Sequence, residues 1–405
     1  MNTAEEKIVT IDHEAALRWP AFDDEAEAAV CRIMRDGNVS THPVTREIEN
    51  DYATFTGRRH ALSHSSGTSA LLAAFHALNL DPGDEVIVPS ATFWASVLPM
   101  VWCGLVPVFA ESESETLGLD PEDIRRKITT RTRAVVIVHL WGLPCRIDEI
   151  RKVCEEFDLR IIEDASHTHG ASFHGEPCGS LGDISVFSLQ GDKLAPAGEG
   201  GIFLTDDPGY WERAVCLGDI TRIIELGSPS RRFAATSMGI KTRIAPMSAA
   251  LGRVSLRKLP EFNRIRNLNH RWLSAQLEEL GFDSFLPKAG VERVYFEFLV
   301  RHRDPDFDTS GLIEILQRLG AQVTVPRYPL LHQQPFFREG HVARLGRYPD
   351  EIELPDYAGL ELPRTERENL RLIKLPNFCH LDEGLLEQYR DAFVRALEIH
   401  QAENS

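Results

Sequence analysis

Residues 184–201 read ISVFSLQGDKLAPAGEGG, and the rest of the chain is interpreted from this stretch. A short apolar run of strand character, carrying Ile184, Val186 and Phe187, stops at Gln190-Gly191. Lys193 follows at once, ahead of the glycine cluster Gly198-Glu199-Gly200-Gly201. Glycine lets backbone approach a ligand closely, and an amine at a strand end beside such backbone is where a Schiff-base lysine would sit. The ordinary alternative is a solvated surface charge.

The segment upstream bears on that choice. Arg160 to His167, RIIEDASH, reads as a second buried strand ending in an acid, and Asp164 precedes Lys193 by one strand-loop-strand interval. A cofactor with an aldehyde on a pyridine ring needs both groups. The amine holds the aldehyde, and the carboxylate keeps the ring nitrogen protonated as an electron sink.

Three quoted segments carry a family resemblance: EDASHTHGA at 163–171, GDISVFSLQGDKLAPAGEGG at 182–201, and SSGTSALLAAFHALNLDPGDEVIVPSATF at 65–93. In order and spacing they resemble the DegT/StrS-type aminotransferases, pyridoxal-phosphate enzymes acting on sugars and cyclitols. The likeness runs from about Trp19 to the C-terminal segment. It implies fold type I and pyridoxal 5′-phosphate as cofactor. Carried over residue by residue, Lys193 holds the cofactor and moves the proton, Asp164 faces the ring nitrogen, and His167 sits by the phenolic oxygen or over the ring edge. Gly67, Thr68 and Ser188 meet the phosphate, and Phe93 stacks on the ring.

The residues alone leave some of these assignments open. Ser65-Ser66-Gly67-Thr68-Ser69 before the helix-forming ALLAAFHAL is either a phosphate cup, where free amides and the dipole meet an anion, or a plain serine cap. Phe93 and Trp94 are either a stacking surface or core. At Lys241 the family frequently has an asparagine that reaches the cofactor phosphate of the neighbouring subunit. A lysine there either strengthens that contact by charge or points away. Arg243, Tyr328 and His332 are the expected substrate-binding residues, the last two in a loop resembling the family's approach to the active site.

Strand and helix signals alternate every 20 to 30 residues or so, which argues for an α/β fold with a mainly parallel sheet wrapped by helices. Strands are expected at 61–64, 85–90, 104–109, 133–140, 160–164, 184–188 and 202–205. Helices are expected at 23–34, 47–56, 147–157 and after Ser69, with Asp120 capping and Pro121 opening another. Residues 218–237 read as an irregular, mobile loop near the site entrance. A helical stretch at 247–259 leads into a long amphipathic helix at 261–280, and the pattern then changes to strand 294–300, helix 312–319, strand 322–325 and helix 383–397. The expected division is a large domain, 1–259, and a smaller α+β C-terminal domain, 260–405.

Composition narrows the function classes. The chain has 405 residues, 43% hydrophobic and 26% charged, as a globular enzyme does. Its net charge of −17 argues against nucleic acid or an anionic membrane as partner. Seven cysteines without a CxxC pair, no signal-like start and no apolar run of about 20 residues point to a cytoplasmic protein. No metal is expected: His167 and His169 are two apart, and no carboxylate or thiol set with zinc spacing lies near them. Neither a GxGxxG strand-helix turn nor a Walker motif is present.

The expected reaction is a ping-pong transamination from glutamate or glutamine to a cyclic ketone, foremost a nucleotide-activated keto-sugar, with a free keto-cyclitol or aminated-ring antibiotic precursor as the alternative. Lys193 speaks against the branch that dehydrates sugars, where histidine replaces it. A cofactor-binding regulator is the non-enzymatic alternative, but no basic recognition helix is present. The family also implies a homodimer with active sites at the subunit interface.

Overall fold

The computed structural model describes residues 7–403. The first six residues and the last two of the expected domains therefore lie outside the described residues. At the centre is a seven-stranded sheet made of β1 (His60–His64), β2 (Glu85–Pro89), β3 (Val106–Ala110), β4 (Thr132–Val138), β5 (Arg160–Asp164), β6 (Ile184–Ser188) and β7 (Gly201–Thr205). Its order is β1-β7-β6-β5-β4-β2-β3. The neighbours from β6 through β3 pair in parallel, and β7 pairs antiparallel with both β6 and β1. Every residue of β2 is buried, and so is every residue of β4 except Arg133, as strands covered by helices on both faces require.

The parallel topology sends β1, β2, β4, β5 and β6 to one edge of the sheet, the place where open α/β folds bind ligands. Each of these strands ends there in a segment with polar groups. After β1 comes α1 (Gly67–Leu78), capped reciprocally by Ser66 and Ser69. Alanines and leucines bury it almost entirely. Gly67 is obligatory, since a Cβ there would lie 2.7 Å from Ser188 Cβ on β6.

Beside Asp164 on β5, Glu163 ties the sheet edge together. Its buried carboxylate accepts from His139 Nε2, the amides of Gly179, Leu181 and Gly182, and Ser185 Oγ. Burial alone would raise its pKa, but these bonds, led by His139, hold it down at about 2. His139, Glu163 and Cys178 are also the one group among the described residues whose ligand atoms could surround a metal, and these hydrogen bonds already occupy the carboxylate.

Several expectations change. The helical stretch ending near Leu259 and the helix beginning at Glu261 are one helix, α2 (Pro246–Glu279), with Pro260 inside it. Proline removes one backbone donor but does not end this helix, because the two halves are packed on different cores. Ala249, Ala250 and Leu259 belong to the large core, and Leu273 and Leu277 to the smaller one. The 259/260 division therefore falls within a helix. Packing also crosses the chain order. Val9 and Ala16 join the smaller core, whereas Tyr328, Leu331, Phe337, Tyr357 and Leu362 join the large one.

The strand expected at 322–325 is a single bridge, Thr324 with Lys374, cut short by Pro326. The small sheet is instead Phe282–Asp283, Phe298–His302 and Leu372–Leu375, all antiparallel. The segment before Phe298 lies across Trp141, with Val294 N donating to Gly142 O and Phe296 N to Trp141 O. Residues 218–237 contain two short helical segments, Ile220–Ile223 capped by Asp219 and Pro229–Phe233 capped by Ser228. Among the described residues, no helix is long and apolar enough to cross a membrane.

Candidate active site

The ends of the parallel strands open into a cavity of 640 Å³. Six of the residues assigned to the cofactor line it together: Gly67, Thr68, Phe93, Asp164, His167 and Ser188. Lys193 and Tyr328 join them.

Asp164 ends β5 with a buried carboxylate. Its Oδ2 accepts from Ser96 Oγ at 2.7 Å and its Oδ1 from Ser166 N at 3.1 Å, while Ser96 is itself 3.0 Å from Thr92 Oγ1. These bonds fix the carboxylate orientation.

Lys193 follows β6 in a turn closed by its own N–H to Gln190 O. Its carbonyl accepts from the indole N–H of Trp19 at 3.0 Å. The amine is buried, 4.3 Å from the Phe296 ring centre, and has no hydrogen bond or ion pair among the described residues. Burial pushes its pKa down to about 8. Arg327 adds to this, against the pull of Asp164, Glu297 and Asp192. A buried, unpaired amine is costly unless the site uses it.

His167 lies in a ring stack, 4.0 Å from Phe296 and 5.8 Å from Trp141 between centroids. Its Nε2 is 3.4 Å from the Tyr328 hydroxyl, and its buried Nδ1 has no partner. Burial first, then the charges of Lys193 and Arg327, hold its pKa well below the ordinary value, so the ring is neutral. Phe93 is 40% exposed and Trp94 44%, and both line the cavity, so neither is core.

Three expected residues stand elsewhere. His332 is buried in a 3₁₀ turn with Nδ1 2.6 Å from Ser90 Oγ and Nε2 2.9 Å from Glu366 Oε1. Leu331 and Gln334 face the cavity in its place. Arg243 lines a separate cavity of 410 Å³ beside Thr221 and Arg222, and Lys241 is exposed away from both. The reading missed Ser96, Arg327, Phe296 and Glu297. Only Arg327 had a local signal, as a charge next to Tyr328 in an otherwise apolar loop.

Comparison with known proteins agrees with this geometry. The model of the DegT/DnrJ/EryC1/StrS aminotransferase family matches residues 20–381. The chain belongs to this family. The chain is accordingly a pyridoxal 5′-phosphate-dependent aminotransferase, and the buried Lys193 amine and the hydrogen-bonded Asp164 carboxylate, which line one cavity, fit that cofactor. An L-glutamine:2-deoxy-scyllo-inosose aminotransferase from Streptomyces kanamyceticus is 29% identical over 95% of this chain and 94% of its own. A GDP-perosamine synthase from Caulobacter vibrioides is 31% identical over 78% and 82%. Among solved structures, an aminotransferase from Psychrobacter cryohalolentis superposes with a TM-score of 0.83 at 26% identity, covering 95% of this chain and 99% of that one.

Proposed function

We propose that this aminotransferase moves an amino group from glutamate or glutamine to a ketone on a polyhydroxylated six-membered ring. The observation that carries the reading is the buried, unpaired Lys193 amine sharing one cavity with an Asp164 carboxylate fixed by Ser96. The names of the related enzymes, one acting on a cyclitol ketone and one making an amino sugar, support the acceptor class.

When bound, pyridoxal phosphate supplies an aldehyde that captures amines and a protonated ring that takes up the electron pair left by proton loss. The chain's own residues do the rest. Lys193, with a pKa near 8, is partly free amine at neutral pH and takes and returns the proton at the substrate carbon. Asp164 would face the ring nitrogen, held in place by Ser96 and the Ser166 amide. His167, being neutral, would add no charge beside the phenolic oxygen or over the ring edge. Gly67, Thr68 and Ser188 would hold the phosphate at the start of α1, where the first amides of a helix are unspent. Phe93 would cover the ring and exclude water.

The part of the acceptor inside the cavity is an uncharged polyol whether or not a nucleotide is attached. The test begins with single-turnover conversion of the holoenzyme by glutamate or glutamine, followed as loss of its long-wavelength absorbance. The aminated form is then challenged with nucleotide-linked keto-sugars and free keto-cyclitols. Recovery of the absorbance with neither class would refute the acceptor reading.

A homodimer belongs to the same proposal. Ile220, Ile224, Met238, Ile240 and Met247 are exposed apolar residues within one segment around Lys241, a surface suited to a second copy. Lys241 and Arg243 would then act at the neighbouring site. An active monomer in sedimentation would refute this. A cytoplasmic location is also proposed, supported by seven cysteines that are all free thiols.

A further inference from the structure

The cavity must accept two unlike molecules in turn: an amino acid, which carries a carboxylate beside its amine, and a ring ketone, which carries none. One cationic side chain besides Lys193 lines it, Arg327. Its two ion pairs differ in kind. Nε is held at 2.6 Å by Glu297, whose side chain is only 2% exposed and which also holds Lys374 Nζ at 3.2 Å. This side is a buried charge contact in which neither Glu297 oxygen accepts a hydrogen bond. Nη1 meets Asp192 Oδ2 at 3.1 Å, and both partners are open to solvent, at 38% and 55% side-chain exposure. Nη2 has no partner among the described residues. An exposed pair of this type contributes little, about 0 to 1 kcal/mol, so it exchanges readily.

Position supports a role in binding. The guanidinium lies 5.7 Å from the centre of the Phe296 ring, the same ring that carries the Lys193 amine. Asp192 is adjacent to Lys193 in sequence and lines the cavity too. A carboxylate paired with Arg327 would bring its α-amine toward Lys193. With a polyol bound instead, Asp192 keeps the guanidinium paired and offers its other oxygen to ring hydroxyls.

We infer that Arg327 is the carboxylate receiver for the amino donor and that Asp192 is its exchangeable counter-ion, leaving Arg327 when the donor binds and returning when the acceptor does. This rests on the donor being an α-amino acid. It is tested on the holoenzyme by measuring the two half-reactions separately and by calorimetric binding of glutarate, a carboxylate probe without an amine.

Arg327→Gln should raise the donor KM about 10- to 100-fold, the range expected for losing a charged hydrogen-bond partner, while the acceptor KM stays within about twofold. Arg327→Lys should recover part of the loss. Glutarate binding should weaken in parallel in Arg327→Gln and strengthen severalfold in Asp192→Asn, where the competitor is gone. Arg327→Gln with an unchanged donor KM, or with both KM values raised alike, would overturn the assignment. So would weaker glutarate binding in Asp192→Asn. If the unaltered enzyme reacts with no α-amino acid, the donor reading itself fails and takes this inference with it.

Discussion

Removing the buried Lys193 amine should make the cofactor-free protein more stable. Lys193 is buried without a counter-ion in contact, and its pKa is down to about 8 from an ordinary 10.5. Below pH 8 the amine is protonated in both the folded and unfolded chain, and folding bears the whole cost of burying the charge. At about 1.4 kcal/mol per pH unit, that cost is about 3 kcal/mol. As pH rises from 8 to 10.5 the folded amine is already neutral while the unfolded one still binds a proton, so the cost fades. Above 10.5 it is gone. Lys193→Met keeps the shape of the side chain and removes the charge. Urea unfolding of the cofactor-free variant should therefore show a gain of about 3 kcal/mol at pH 7 that shrinks steadily towards pH 10.5. A variant no more stable than the parent at pH 7, or a gain that does not change with pH, would refute the reasoning.

Three further outcomes follow from the same site. Ser96→Ala removes the 2.7 Å donor to Asp164 and should slow the donor half-reaction at least about 10-fold, with the fold unchanged by circular dichroism. Gly67→Ala places a methyl 2.7 Å from Ser188 Cβ and should cost about 1 to 3 kcal/mol in unfolding measurements, together with a marked loss of cofactor affinity in equilibrium titration. Glu163→Gln replaces an acceptor of five bonds with a group that donates on one side, and should destabilise the protein by about 3 to 5 kcal/mol in urea titration.

Local patterns made the large sheet readable. The apolar runs at 85–89 and 133–138 read as covered strands, and the acid at the end of one strand and the amine after the next line one cavity. What stayed hidden depends on contacts between residues far apart in sequence. Ser96 is an unremarkable serine until Asp164 is seen beside it. Glu297 is one acid among 61 acidic residues until Arg327 and Lys374 close on it. The 259/260 division rested on the change of pattern beyond it, and proline at 260 would ordinarily favour a helix end there. Burial of both halves of α2 against separate cores outweighed that preference. His332 was misplaced because a loop's sequence does not reveal which side of a 3₁₀ turn faces inward, and Ser90 and Glu366 together drew it away from the cavity.

Residues 10–19 carry a consequence for how the candidate site is assembled. Thr10 and Ile11 donate to Gln388, and His13 is 2.9 Å from the Tyr389 hydroxyl, on the chain's final helix at Glu383–Glu403. A few residues later Trp19 reaches the Lys193 carbonyl. The turn that carries Lys193 is thus braced by residues from one end of the described sequence, which are themselves anchored on a helix near the other end. Pairing of the central strands alone therefore leaves Lys193 without its brace, which is set only when residues 10–19 dock on Glu383–Glu403.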